Sequence, residues 1–97
     1  MNLEIRFTSE AEDTYEALVS QLKGRWGDRF VAKLESRITE SLNIISSSPY
    51  LYPVIDETND IRRCNLHKNC SMLYRVNDHD ILIVCFWDNR QEPLFMP

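Results

Sequence analysis

The sequence predicts a two-layer α+β fold in the order β-α-α-β-β-β, with a helical hairpin packed on one face of a small antiparallel sheet. Three observations predict it. The chain opens with apolar–polar alternation, continues with two apolar stripes of helical spacing separated by its only two glycines, and ends with three strand-like runs divided by short polar turns. A sheet with one apolar face needs a covering layer, and the hairpin is what the chain offers.

Residues 3 to 7, LEIRF, alternate Leu3, Ile5 and Phe7 with Glu4 and Arg6, the period of a half-buried strand. SEAE, residues 9 to 12, reads as a capping box in which the Ser9 hydroxyl accepts from the Glu12 amide. Ala11, Tyr15, Leu18, Val19, Leu22 and Trp26 then recur on one face of a first helix over about 9 to 23. Gly24 and Gly27 bracket a tight turn, and Asp28 caps a second helix with the stripe Phe30, Val31, Leu34, Ile38, Leu42 and Ile45. SSSP ends it, since Pro49 disfavours helix in the residue before it.

Residues 49 to 60 read as a loop whose Tyr50, Leu51 and Tyr52 fold back on the core. The strands IRRCNL (61 to 66), SMLYRV (71 to 76) and ILIVCFW (81 to 87) follow, joined by hairpin-type HKNC and NDHD. ILIVCFW is apolar on both faces and is expected to be the central or best-covered strand. The second face of the sheet is left available for something else.

At 97 residues, 43% hydrophobic and 27% charged, the chain reads as one domain spanning 1 to 97. Such a length buries about 65% of the surface exposed by its unfolded chain. The start carries Glu4 and Arg6 where a signal peptide needs a continuous apolar core, and no run approaches the ~20 residues that span a bilayer, so a cytoplasmic location is expected. Cys64, Cys70 and Cys85 are an odd number at no familiar spacing, which fits reduced thiols. The net charge of −4 is unevenly spread: residues 1 to 60 hold six Lys/Arg against eleven Asp/Glu, residues 61 to 97 five against four. An anion-binding surface is therefore expected in the last third.

That third holds Arg62, Arg63, His67, Lys68, Arg75 and Arg90. Neighbours on a strand point to opposite faces, so only one of Arg62 and Arg63 joins a common surface, and Arg75 lies opposite Met72, Tyr74 and Val76. The competing reading is a solvated edge kept from self-association by charge. Arg90, in WDNRQEP just past the most apolar run, stands near Arg75 if the last two strands form a hairpin. Trp87 and Phe95, with Tyr74, could stack bases or receive an apolar helix, against the alternative of core and rim packing.

Cys64, His67 and Cys70, with His79 as a distant fourth, match no standard zinc spacing and read as buried thiols, so neither metal nor cofactor is expected. No nucleophile elbow is present, and two glycines do not build a phosphate loop. Asp78 and Asp80 read as turn formers.

The order of elements, together with SLNIISSSPYLYP, IRRCNL, MLYRV and ILIVCFWDNRQEP, resembles the RelE/ParE superfamily of type II toxin-antitoxin toxins over nearly the whole chain. The resemblance implies a small growth-inhibiting toxin, of the kind linked to plasmid stabilisation, neutralised by an antitoxin from an adjacent gene. RelE-like members cleave mRNA on the ribosome with a basic cluster and a C-terminal proton-transfer group; ParE-like members are described as poisoning DNA gyrase. Carried over, the resemblance places Arg63 and Arg90 at or near basic positions of that cluster, with Arg75 as a third candidate for the ribonuclease reading. A further arginine position falls on Ser71, and the usual tyrosine on Phe95, which has no hydroxyl to exchange a proton. These departures, with the acidic net charge, favour the ParE-like branch, with Arg63, Arg75, Trp87, Arg90 and Phe95 as antitoxin- or target-binding residues. An inactive, antitoxin-binding member is the remaining alternative.

Overall fold

The structure, a computed structural model, describes residues 2 to 90. Its elements are β1 (Glu4–Phe7), α1 (Ser9–Ser47), β2 (Val54–Asp56), β3 (Ile61–His67), β4 (Cys70–Val76) and β5 (Asp80–Asp88). The expected α+β layering holds, but the sheet has five strands in the order β1-β5-β4-β3-β2 and is mixed, because β1 runs parallel to β5. The extra strand is β2, which lies in the stretch expected to be a loop and pairs antiparallel with β3.

The span α1 contains 39 residues and, as one rod, would measure about 58 Å at ~1.5 Å per residue. The longest dimension of the molecule is 38 Å. The helix direction breaks at Gly27, where φ is 85° and ψ 179°, a region open essentially to glycine alone. Two arms result, and Ala11, Leu18 and Leu22 of the first meet Leu34, Ile38 and Ile45 of the second in one buried cluster. The expected hairpin is thus present, but the first arm runs through Gly24 to the break rather than ending at residue 23.

The N-terminal cap is Thr8, not the expected Ser9. Thr8 is extended, its Oγ1 accepts from the Ala11 amide at 2.9 Å and donates to the Val84 carbonyl at 2.7 Å, and its own amide donates to the Ile83 carbonyl at 3.1 Å. The reason is positional. β1 ends opposite Ile83, so the next residue is the one that can bond to β5 and cap the helix together. Farther along β5, the Phe86 amide donates to Thr14 Oγ1 at 2.9 Å. Two threonines therefore continue the role of β1 and anchor the end of β5 that leads to Trp87 and Arg90.

β4, rather than β5, is the central strand, and Cys70 through Tyr74 are buried in unbroken succession. On the helix-covered face Cys64, Leu66, Met72, Tyr74, Ile81, Ile83 and Phe86 join the arms. The opposite face is not bare, for Ile61, Leu73 and Cys85 form a second buried cluster with Val84 and Trp87 packed on it. Tyr52 folds back as expected, edge-on to Tyr74 with centroids 6.5 Å apart. Tyr50 and Leu51 do not, remaining 67% and 64% exposed. The Arg62 guanidinium holds this turn by donating to the Tyr50 and Tyr52 carbonyls at 3.2 and 2.7 Å.

Candidate functional site

β3 and β4 meet at a turn beside the second helix arm, and a register shift between Asn65 and His67 twists the end of the ladder. Arg63, Asn65 and Ser71 share the face turned away from the helices, where the register sets Arg63 opposite Leu73 and Asn65 opposite Ser71. Arg63 Nε donates to Ser71 Oγ at 3.0 Å and to Asn65 Oδ1 at 3.1 Å. Ser71 Oγ lies 2.7 Å from Asn65 Oδ1 and 2.8 Å from Asn89 Oδ1, and its single proton serves one of these acceptors at a time. Asn89 Nδ2 donates to the His67 and Lys68 carbonyls at 3.4 and 3.3 Å, tying the chain after β5 to the turn.

Two adjoining grooves open on this region. One, of about 510 Å³, is lined by Phe30, Lys33, Leu34, Arg37, Leu66, His67 and Lys68. The other, of about 270 Å³, runs past Arg37, His67 and Lys68 to Arg63 and Asn89. His67 is fixed between them: its ring is edge-on to Phe30 at 5.0 Å and tilted to Trp26 at 6.0 Å, and its Nδ1 accepts from the Asn69 amide at 3.2 Å.

Arg90 is exposed and paired within its own turn. Its Nε and Nη2 donate to the two oxygens of Asp88 at 3.0 and 2.7 Å, and its amide donates to Oδ1 at 2.9 Å. Those donors hold the Asp88 carboxyl below its ordinary range despite its partial burial. A carboxyl whose folded-state pKa is depressed adds stability above its unfolded pKa and loses that contribution as pH falls through the folded value. In an Arg90→Ala variant, the Asp88 carboxyl should titrate at a higher pH than in the parent; a side-chain NMR titration reads this directly, and an unmoved Asp88 would rule Arg90 out as the cause.

Arg75 is not near Arg90. It pairs with Leu82 at one end of the β4–β5 ladder, whereas Arg90 lies beyond the Cys70–Asp88 pair at the other, a separation of roughly 20 Å at ~3.3 Å per residue. Arg75 does lie opposite Tyr74 and Met72, is exposed, and has no ion pair among the described residues. Trp87 is half-buried across from Ser71. Tyr74 is fully buried on the helix face and offers no ring to a ligand. Phe95 lies outside the described residues.

Cys64, Cys70 and Cys85 are free and buried, and burial pushes the Cys70 and Cys85 thiols up to about 11. Among the described residues no three His, Cys, Asp or Glu side chains converge to hold a metal ion, and no helix is long and apolar enough to cross a membrane.

Lys33 and Arg37 escaped the sequence reading. Their one local signal is a spacing of four on an exposed helix face, which any solvated helix shares; what makes them part of a site is the turn that faces them.

A helical hairpin on a mixed five-stranded sheet is the fold of known toxins. The structure described as the chromosomal ParDE TA system from P. aeruginosa matches with a TM-score of 0.72 at 17% identity, over 89% of this chain and 95% of that one. A copper-bound mutant toxin from Helicobacter pylori matches at 0.66 and 14% identity, over 91% and 96%. The E. coli DinJ-YafQ toxin-antitoxin complex matches at 0.62 and 8%, over 93% and 96%. No curated protein matches the sequence. The family model of the ParE toxin of the type II toxin-antitoxin system, parDE, matches residues 5 to 93, and the chain belongs to that family.

Proposed function

We propose that the protein is a growth-inhibiting toxin that acts by binding rather than catalysis, with DNA gyrase as its target, and that a cognate antitoxin neutralises it. The observation that supports this most is the company of Arg63. The side chains bonded to its guanidinium are Ser71 and Asn65, with Asn89 behind them, none of which exchanges a proton near neutrality. Cleavage of a phosphodiester by proton transfer needs an acid and a base placed at the scissile group, and amides and a hydroxyl supply neither. The antitoxin proposal draws on family membership and on the toxin-antitoxin complexes that share the fold. Arg63, Arg75, Trp87 and Arg90 remain the proposed contacts; a segment meeting both Arg75 and Arg90 has to follow the sheet for most of its length.

A second reading, a ribosome-dependent mRNA endoribonuclease, is favoured by the lysine and histidine of the β3–β4 turn beside Arg63. Purified toxin added to gyrase and relaxed plasmid should block supercoiling and leave mRNA intact in a coupled translation reaction. Normal supercoiling together with codon-positioned cuts would reverse the choice, and neither effect would leave an inactive, antitoxin-binding protein.

A further inference from the structure

A further cavity, of about 290 Å³, opens where both helix arms meet β1 and β5. The second arm gives it Glu35, Ile38 and Thr39. At ~100° per residue, Glu35 and Thr39 stand about 200° round the helix from Lys33 and Arg37. The cavity accordingly shares no residue with the grooves beside the β3–β4 turn.

Its floor is apolar: Ala11, Ile38 and Phe86 are buried, and Tyr15 packs on Phe86 with ring centroids 5.3 Å apart. Phe7 stands at its rim. The alternation of β1 turns Leu3, Ile5 and Phe7 the same way, yet Leu3 and Ile5 pack against the core while Phe7 stays 45% exposed. A large ring left to water beside a concave apolar surface is the kind of surface a ligand covers.

The charged residues of the lining are Glu12 and Glu35, one from each arm, with no Lys or Arg among them. Neither is in an ion pair among the described residues. Burial, and after it the Glu35 carboxylate, push the Tyr15 phenol up, so at neutral pH its hydroxyl is intact beside that charge. Aromatic faces and two carboxylates over an apolar floor complement a cation that carries its own hydrocarbon. A polyamine would meet the carboxylates and leave the rings wet. A neutral ligand would cover the rings but strip water from two unpaired charges. The volume is at the small end of the ~300–1,000 Å³ typical of ligand pockets, which favours a compact molecule over a peptide segment.

We infer that this cavity is a binding site for a compact aralkyl- or alkylammonium ion, its ammonium held by Glu12 and Glu35 and its hydrocarbon covering Phe7, Tyr15 and Phe86. The inference goes beyond the proposed function and does not rest on it, because the site is separate from Arg63 and binding is read on the isolated protein.

The test is an NMR titration of the whole protein with phenethylammonium, beside phenethyl alcohol, which lacks the charge, and spermidine, which lacks the ring. The ammonium should move the amide signals of Phe7, Tyr15, Thr39 and Phe86 and bind with a Kd of about 0.1–1 mM. The alcohol and spermidine should each bind at least about tenfold more weakly. Glu12→Gln with Glu35→Gln should weaken the ammonium at least about tenfold and leave the alcohol unchanged. Thr39→Phe fills the cavity with both carboxylates in place and should abolish binding. Glu12, Glu35 and Thr39 are exposed, so melting should hold; if Thr39→Phe melts early, the double glutamine variant carries the test. Spermidine or the alcohol bound as tightly, shifts spread away from those four residues, or indifference to the glutamine substitutions would overturn the site.

Discussion

Replacing Tyr74 with alanine should cost about 4 kcal/mol of folding stability, within the ~3–5 kcal/mol range for removing a large buried aromatic ring. Tyr74 is the largest fully buried side chain, at 0% exposure, in the middle of the central strand. Its ring packs among both helix arms and edge-on to Tyr52, and its hydroxyl donates to the Pro49 carbonyl at 2.8 Å. Burial also pushes the phenol up to about 12, so at neutral pH it is a donor with its proton in place. For a chain of this size ~1 kcal/mol shifts the melting temperature by about 4–8 °C, so the alanine variant should melt about 20 °C below the parent. Tyr74→Phe keeps the ring and strands only the Pro49 carbonyl, which should cost about 1–2 kcal/mol. Urea denaturation of the three proteins separates the terms. Equal losses for Phe and Ala would assign the whole effect to the hydroxyl and contradict the packing account.

The case of Tyr74 also shows what a sequence can and cannot disclose. Its burial follows from alternation, since Met72, Tyr74 and Val76 share a face and that face is the apolar one. Of the two readings offered for it, base stacking and core packing, that parity selects the second. The separation of Arg75 from Arg90 was legible too: strands joined by NDHD pair residue 75 with one near 82, which leaves residue 90 beyond the other end. The parallel pairing of β1 with β5 was not, because Glu4 and Asp80 are brought together by a helical hairpin whose return path no local pattern encodes. Nor was the cap at Thr8, since Thr8 and Ser9 both carry suitable hydroxyls and the choice is made by the Ile83 and Val84 carbonyls. The grooves beside the β3–β4 turn fared worst. Lys33 and Arg37 are ordinary helix-surface residues until the β3–β4 turn is set against them, so a site built across two layers leaves in each layer only half of its signal.

The two glycines should respond to alanine with opposite signs. Gly24 lies within the first arm in helical conformation, and a Cβ built there meets nothing within 4 Å. Alanine at such a position removes backbone freedom from the unfolded chain and should stabilise by about 0.5–1 kcal/mol. Gly27 offers the same empty space, so sterics with neighbours do not distinguish the pair. The backbone does: with φ at 85° and ψ at 179°, a Cβ at Gly27 crowds its own chain, and residues forced into such regions cost about 1–3 kcal/mol. Relief is available only by moving the break, which would rotate one arm against the other and pull Leu22 and Leu34 out of register in their shared cluster. Gly27→Ala should therefore melt about 5–15 °C below the parent and Gly24→Ala a few degrees above it. Equal melting temperatures for the two variants would show that the break is set by packing and not by glycine.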